Sequence, residues 1–150
     1  MRYFEDFRVG ETGALGTHTI TEVEIVAFAR KYDPQPFHVD PEAARATFFG
    51  GLIASGWHTC AILMRLSVEA ARREEAAGTG SPGVDSCRWL KPVRPGDRLS
   101  ARTEVLEAWP SRSKPFGFVR RRLEMLNQHG QIVLSLVGIS MYRRRPEHAV

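Results

Sequence analysis

The chain has 150 residues, of which 43% are hydrophobic and 25% charged, and it carries a formal net charge of +4. This composition is ordinary for a globular protein and excludes a disordered or fibrous chain. A single domain over residues 1–150 is expected, because a chain of this length buries roughly two thirds of the surface that its unfolded form exposes and needs no metal or disulfide to fold.

The first residues of the chain are not expected to form a signal peptide. Glu5 and Asp6 lie where a signal peptide has an apolar run, and no later segment approaches the ~20 apolar residues of a membrane helix. We therefore expect a cytoplasmic protein with no membrane partner. In that reducing compartment Cys60 and Cys87, which lack the spacing of a zinc site, are predicted to be free thiols in the core.

The first helix is predicted to begin after Thr21, because Thr21 and Glu24 have the spacing of a capping box. Residues 17–21 have the character of a turn or of the end of a short strand. The helix must end by Asp33, since a residue before proline is pushed out of the α region.

Two further helices are predicted before the middle of the chain. Asp40 and Pro41 indicate a short helix through about Thr47, with Asp40 as its N-cap and Pro41 at its first position. From Gly56 to about Glu75, small and apolar residues recur on one helical face without an interrupting proline. This is the longest helix that the sequence predicts.

The second half of the chain is predicted to consist of strands. Residues 78–83 are rich in glycine and indicate a loop. Four runs rich in β-branched and aromatic residues follow, over residues 84–91, 98–109, 116–127 and 131–142. Short connections between them predict an antiparallel meander. A curved antiparallel sheet that wraps one long apolar helix is an α+β architecture, the hotdog fold.

Two runs of arginines contribute much of the positive charge, at residues 120–122 and 143–145. Runs of like charge usually face solvent. A nucleic-acid-binding face would interleave them with aromatic side chains, and only Phe116, Phe118 and Tyr142 lie near. Nucleic acid is therefore not expected as a partner, whereas a small polyanionic ligand remains a functional alternative.

The segment from Asp33 to His38 holds the first candidates for chemistry. Pro34 and Pro36 fix φ and lack an N–H, so the segment is predicted to be a stiff loop that is neither helix nor central strand. Fully extended, it would separate the two Cα atoms by about 15 Å. If it bends, an aspartate and a histidine can bind one water molecule and exchange protons with it. The alternative is structural, with Asp33 capping a turn and His38 buried.

Gly56 adds a third element, because it begins the long helix. The first N–H groups of a helix have no internal partner and carry the positive end of its dipole, so they can bind a developing oxyanion. A glycine there lets a substrate carbonyl approach the backbone closely. The alternative is that Gly50, Gly51 and Gly56 serve only tight turns and packing.

The stretch from Asp33 to Gly56 resembles the signature of the MaoC-like dehydratases, which include the R-specific enoyl-CoA hydratases. That signature is an Asp-x-Asn-Pro-x-His-x-Asp run, a spacer with alanines and a phenylalanine, and an Ile-x-x-Gly ending. The residues that match it with the spacing kept are Asp33, Pro36, His38, Asp40, Ala43, Ala44, Phe49, Ile53 and Gly56. Gln35 replaces the usual asparagine, and Ser55 stands where a histidine is frequent.

The resemblance implies the hotdog fold and the reversible hydration of a trans-2-enoyl-CoA to an R-3-hydroxyacyl-CoA. Asp33 and His38 would be the dyad that activates water, and the Gly56 N–H would polarise the thioester carbonyl. The candidates for contact with the substrate are Tyr32, Phe37, Ser55 and Trp57. The thioester of CoA or of an acyl carrier is itself the substrate, so no cofactor and no metal are expected.

Exposed strand edges favour a homodimer whose sheets join edge to edge, or a dimer of dimers. In the first turn of the long helix, His58 is expected to have a structural or dimer-contact role. Ser55, just before Gly56, could also cap that helix.

Two other functions remain open. A hotdog thioesterase would use a carboxylate to direct water at the carbonyl carbon, and a non-catalytic module would bind acyl-CoA without turnover.

Overall fold

The computed structural model describes residues 1–148 of the chain. Its elements, in chain order, are a 3₁₀ turn (Phe4–Asp6), β1 (Thr12–Thr19), α1 (Glu22–Tyr32), α2 (Pro36–Val39), α3 (Pro41–Arg45), α4 (Gly56–Arg73), β2 (Gly78–Trp89), β3 (Arg98–Pro110), β4 (Phe116–Leu126), β5 (Ile132–Arg143) and a second 3₁₀ turn (Pro146–His148). The three predicted helices are confirmed as α1, α3 and α4. The last two end about two residues earlier than predicted.

The predicted caps explain where the first helices begin. The Thr21 hydroxyl accepts a hydrogen bond from the Glu24 N–H, and the Glu24 carboxylate accepts one from the Thr21 N–H, which completes the capping box of α1. The Asp40 carboxylate accepts bonds from the first N–H groups of α3. Both helix starts follow from local side-chain chemistry.

The five strands form one antiparallel sheet in the order β1-β3-β4-β5-β2. The predicted meander is confirmed for β3, β4 and β5 but was wrong for β2, which pairs with β5 at the edge. Three strand spacings of ~4.8 Å separate β2 from β3, about 14 Å in all. Residues 90–97 can reach about 26 Å when extended, so this connection crosses one end of the sheet.

The prediction of a loop over residues 78–83 was also wrong, because these residues are the first half of β2. Gly80 and Gly83 have φ of +144° and +150°, which side-chain-bearing residues rarely adopt, and the pairing with β5 shifts register around both. The glycines therefore bend an edge strand and do not end it. Strand β1 likewise begins well before the predicted residues 17–21 and contains two glycines.

The long helix α4 packs its apolar face into the concave side of the sheet. Ile62, Leu63 and Leu66 of α4 belong to one buried cluster with Leu99, Met125 and Leu134 of the strands. This is the arrangement predicted from one long apolar helix and a curved sheet. Helices α1, α2 and α3 lie at the end where α4 begins, and they carry the predicted site.

Cys60 and Cys87 are free thiols, as predicted, with Sγ atoms 3.6 Å apart between α4 and β2. Both side chains are half-buried and pack against the core cluster. Burial is the largest cause that raises the pKa of Cys60, and the neighbouring Cys87 raises it further, to about 12. The Cys60 thiol therefore stays protonated at neutral pH and is a poor nucleophile.

No helix among residues 1–148 combines the length and the apolar character needed to cross a bilayer.

Candidate active site

Asp33 is held at the end of α1 by the backbone. It is the C-cap residue, and its N–H donates to the Ala29 carbonyl at 2.8 Å. Its own carbonyl accepts a 2.8 Å bond from the Gln35 N–H. The chain therefore turns immediately after the helix, where Pro34 prevents α1 from continuing.

The segment that follows contains one turn of helix, α2, so the prediction that Asp33 to His38 excludes helix was wrong for its second half. Pro36 occupies the first helical position, where a missing N–H costs no hydrogen bond and the fixed φ suits the helix. This turn supplies the bend that a shared site requires. It brings Nε2 of His38 to 3.3 Å from Oδ2 of Asp33.

The imidazole of His38 is buried and fixed by the backbone. Its Nδ1 lies 2.7 Å from the carbonyl oxygen of Ile53. A carbonyl oxygen only accepts, so Nδ1 carries a proton and Nε2 faces Asp33. The Ile53 N–H donates in turn to the Phe37 carbonyl at 3.1 Å. The segment before α4 therefore determines the orientation of the histidine.

Two neighbouring side chains act on Asp33. The Gln35 amide donates to Oδ1 at 2.7 Å. The fully buried Ser55 hydroxyl makes no well-aligned hydrogen bond, yet it lies close enough to act on the carboxylate. Burial raises the pKa of Asp33, but Gln35, Ser55 and the charge of His38 together hold it below its usual value. Asp33 is therefore ionised at neutral pH.

Gly56 is the first residue of α4. Within residues 1–148, neither the Gly56 N–H nor the Trp57 N–H donates a hydrogen bond. A Cβ at position 56 would collide with the Trp89 indole, which covers the glycine. Packing therefore already requires a glycine here, while the first N–H groups of the helix keep their capacity to bind an oxyanion.

Ser55 occupies the N-cap position of α4 but its side chain makes no capping hydrogen bond, so the capping role considered for it was wrong. Its hydroxyl is buried beside Asp33 instead. Ser55 is absent from the cavity lining, so this placement gives no support to the prediction that it touches substrate.

The dyad opens into a cavity of about 440 Å³ at the start of α4. Among the residues that line it are Asp33, Phe37, His38, Gly56, Trp57 and Trp89. Four of the predicted site residues, Asp33, His38, Phe37 and Trp57, thus meet Gly56 on one surface. Trp57 is exposed and stands edge-on to Trp89, with ring centres 5.1 Å apart.

Tyr32 lies outside this cavity. It is 64% exposed and packs against Phe28, so its predicted contact with substrate gains no support from the structure. His58 is buried and stacks on Phe28 with ring centres 4.6 Å apart. Burial lowers the pKa of His58, which favours a neutral, structural imidazole over a second acid or base.

Sequence reasoning missed the wall that faces the dyad. Trp89, Leu90, Lys91 and Val93 come from the end of β2 and the crossing connection. The signature from Asp33 to Gly56 does not include them, because they lie later in the chain and reach the site through the pairing of β2 with β5. The Ala54 N–H donates to the Val93 carbonyl at 2.8 Å and joins this wall to the start of α4.

The chemistry available to this cavity is proton transfer and oxyanion binding. A carboxylate and an imidazole nitrogen 3.3 Å apart can both contact one water molecule. Free N–H groups at a helix start can stabilise negative charge on a carbonyl oxygen. No group of three or more His, Cys, Asp or Glu side chains in the described part of the chain is arranged to hold a metal ion.

The comparisons with known proteins identify the family of this chain. The model of the MaoC like domain matches residues 9–122. A MaoC-like dehydratase from Rhodospirillum rubrum of known structure is 40% identical, with a TM-score of 0.88 over 97% of this chain and 99% of that one. A 3-hydroxybutyryl-CoA dehydratase from Methylorubrum extorquens is 32% identical over 114 residues, which cover 75% of this chain and 69% of the relative.

The fold is confirmed as a hotdog fold. A Mycobacterium tuberculosis protein described as a double hotdog fold is 20% identical, with a TM-score of 0.79 over 99% of this chain and 47% of that one. Some of the curated relatives are also longer proteins, and the chain spans 30% of one and 42% of another.

Proposed function

Since this chain belongs to the MaoC-like family, we propose that it catalyses the reversible addition of water to a trans-2-enoyl-CoA, giving an R-3-hydroxyacyl-CoA. The observation that carries the proposal is the 3.3 Å approach of Asp33 and His38 in a cavity that also contains the start of α4. Relatives named as dehydratases support the reaction class. The thioester is the substrate, and the proposal includes no cofactor and no metal.

Each group has a stated role in this proposal. Asp33 and Nε2 of His38 bind one water molecule beside the β-carbon of the substrate. The pair removes a proton as the water oxygen bonds to that carbon, and the double-bond electrons move onto the thioester oxygen. The N–H groups at Gly56 stabilise this enolate. The pair then returns the proton to the α-carbon, which restores the enzyme.

The hydrogen bonds around the dyad suit this chemistry. The Ile53 carbonyl oxygen accepts a hydrogen bond from Nδ1–H of His38, so only Nε2 exchanges protons with the substrate water. Gln35 supplies the amide donor that the family's asparagine would supply, and it holds Asp33 in the ionised form. The departure from the signature at position 35 therefore keeps a donor to the carboxylate.

The experiment follows crotonyl-CoA with the purified protein. Loss of the conjugated enoyl-thioester absorbance and release of free thiol are measured together, for the native protein and for Asp33→Asn and His38→Ala. We expect absorbance loss without thiol release, and a fall in rate of roughly 10² or more in each variant, because each removes a general acid or base. His129→Ala, on an exposed turn, is the matched control and should keep the native rate.

Other outcomes distinguish the competing functions. Release of free thiol would show that the protein is a thioesterase and would overturn the proposed hydratase function. Saturable binding without turnover, across short, branched and long enoyl thioesters of CoA and of an acyl carrier protein, would replace it by a binding module. Full activity in both dyad variants would remove Asp33 and His38 from the mechanism.

We also propose that a second copy of the chain pairs with the edge strand β2. Every residue of β2 except Cys87 is exposed, and its neighbour α4 exposes the apolar side chains of Met64 and Val68. A long edge strand with exposed apolar residues invites a further strand. An antiparallel pair of β2 strands would cover both features with one self-complementary contact.

A further inference from the structure

The two cysteines of the chain face each other across the seam between α4 and β2. The Sγ atoms of Cys60 and Cys87 are 3.6 Å apart, in contact but not bonded. A disulfide bond is about 2.05 Å long, so the sulfurs must approach by about 1.5 Å to form one. Rotation of the two side chains and a small movement of β2, which has a neighbour on one side only, can close this gap.

The cysteines join the same two elements that enclose the dyad cavity. Cys60 lies one helical turn after Gly56, on the same side of α4. Cys87 lies two residues before Trp89, and the pairing with β5 is regular between them, so both side chains lie on one face of β2. Trp89 covers Gly56 and also lies close enough to Cys60 to act on its thiol. Gly56 and Trp89 both line the cavity.

The pairing with a second copy at the edge of β2 does not by itself cover these thiols. Strand pairing uses backbone groups in the plane of the sheet, whereas the Cys87 side chain projects from the face of the sheet toward α4. Both cysteines are half-buried, so part of their surface still meets solvent. Hydrogen peroxide is only slightly larger than water, and we expect it to reach them.

The two thiols have different roles in an oxidation. Cys60 stays protonated at neutral pH, so Cys87 is the thiol that reacts first. Its thiolate sulfur attacks one oxygen of hydrogen peroxide, the O–O bond breaks, and the departing hydroxide takes up a proton to become water. Cys87 is then a sulfenic acid, and the chain has no third cysteine that could react with it.

The second step forms the disulfide. The Cys60 sulfur attacks the sulfenic sulfur of Cys87, and the Cys60 proton leaves with the hydroxyl group as a second water. The two thiols have together lost two electrons and two hydrogens, and one peroxide has become two water molecules. A dithiol reverses the reaction by thiol–disulfide exchange.

We propose that Cys60 and Cys87 form a reversible disulfide when the protein meets peroxide, and that this bond slows turnover in the dyad cavity. Closing the seam draws the end of β2 onto α4, and Trp89 moves with it over the helix start. The disulfide is inferred from the two cysteines alone, whereas its effect on turnover rests on the proposed function.

The test compares the native protein after treatment with dithiothreitol and after treatment with hydrogen peroxide. In a non-reducing tryptic digest of the oxidised protein, the peptide of residues 46–65 should be joined to that of residues 74–88, with two hydrogens lost. The kcat/KM for crotonyl-CoA should fall roughly tenfold or more, because displacements near 1 Å at a reacting site can cost this much. Dithiothreitol should separate the peptides and restore the rate.

Cys60→Ser and Cys87→Ser are the matched controls, because each keeps one thiol and neither can form the bond within the chain. Both should have the rate of the reduced native protein and should keep it in peroxide. An equal loss in these variants would assign the effect to other oxidised residues and overturn the proposal. Absence of the joined peptides in the native protein overturns it as well, even if a variant fails to fold, and so does a joined form that is as active as the reduced one.

Failure of the proposed function gives a different result. A reduced protein that hydrates no enoyl thioester would reject the hydratase alone, since the joined peptides are measured without any turnover. Binding of butyryl-CoA, which has no double bond to hydrate, then compares the reduced and oxidised forms by calorimetry. Equal affinity in both forms would overturn the effect of the disulfide on the cavity.

Discussion

Gln35 shows how a departure from a family signature can keep a chemical function. Its backbone is extended before Pro36, and its side chain returns to donate to Asp33. The family's asparagine offers the same amide on a shorter stem, so the extra methylene changes reach and not chemistry. Gln35 thus keeps an amide donor on the Asp33 carboxylate.

Replacing Gln35 by leucine should therefore act through Asp33. Without the amide, the pKa of Asp33 rises, because a hydrogen bond that favours the ionised form is lost. If the ionised carboxylate is the active form, the acid limb of the kcat/KM profile for crotonyl-CoA moves to higher pH, while the rate at neutral pH changes little because the carboxylate is still ionised there. Gln35→Asn keeps the donor and should stay near the native profile. An unchanged acid limb in Gln35→Leu would show that the amide does not set the state of Asp33.

His58 illustrates the cost of a buried imidazole. It is 7% exposed, its Nδ1 has no hydrogen-bond partner in the described part of the chain, and its ring stacks on Phe28. Burial lowers its pKa, with a smaller opposing effect from Glu24 and a further lowering by His18. Charging this ring in the folded protein is therefore unfavourable.

This lowered pKa predicts a stability that depends on pH. The unfolded chain binds a proton at its ordinary pKa of ~6.5, while folded His58 binds one only at lower pH. The contribution of His58 is thus fully present above ~6.5 and is lost as pH falls toward the folded pKa. Urea unfolding should show that the free energy of unfolding decreases less from pH 7.5 to pH 5.5 in His58→Leu than in the native protein. In the control His129→Leu, which changes an exposed turn, this free energy should decrease as much as in the native protein. An equal decrease in all three proteins would contradict the assignment to His58.

At the scale of elements, the start of α4 and the end of β2 form one structural unit. Trp89 lies over Gly56, and Trp57 stands against Trp89. The first residue of the helix is thus packed against a wall supplied by the edge strand. A glycine that sequence reasoning linked to substrate access is also required by this packing.

Gly56→Ala should lower the free energy of unfolding by about 1 to 3 kcal/mol, the usual range for an overpacked site. Helix propensity alone would predict the opposite sign, since alanine favours helix over glycine. In a Trp89→Ala background the collision is absent, so the same substitution should cost much less there. Chemical denaturation of the four proteins of this double-mutant cycle measures the difference. An equal cost in both backgrounds would exclude the indole as the cause.

At the scale of the whole molecule, the edge strand β2 and the exposed face of α4 are the surfaces that we propose to contact a second copy of the chain. If a second copy covers them, Met64→Lys/Val68→Lys should reduce the molar mass in solution, measured by light scattering, from twice the 16.9 kDa chain mass toward that mass. Lysines would put like charges into the contact.

Val23→Lys is the control for this experiment, because it changes an equally apolar and more exposed residue on α1, away from β2. It should keep the native mass. A native protein that is monomeric at every concentration would contradict the proposed pairing, and a native mass of four chains that falls to two in the lysine variant would indicate a dimer of dimers.

Much of the fold was predictable because it depends on residues close together in the chain. The capping box of α1, the Asp40 cap of α3 and the apolar face of α4 are patterns within a few turns, and the structure confirms all three. The spacing from Asp33 to Gly56 is equally local, and it identified the family before any contact was known. Membership of the MaoC-like family therefore follows from the sequence by itself.

Only the tertiary structure decided the features that depend on distant residues. The pairing of β2 with β5 made a strand of residues 78–83 and placed Trp89 over Gly56, and neither local propensity nor spacing encodes such a pairing. The same holds for Arg121, which looks like its neighbours in sequence but lies on the apolar face and has no acidic partner among residues 1–148. Sequence by itself determined the family and the local elements that hold the proposed dyad, whereas long-range strand pairing decided what surrounds it, because strand partners are chosen by contacts between segments far apart in the chain.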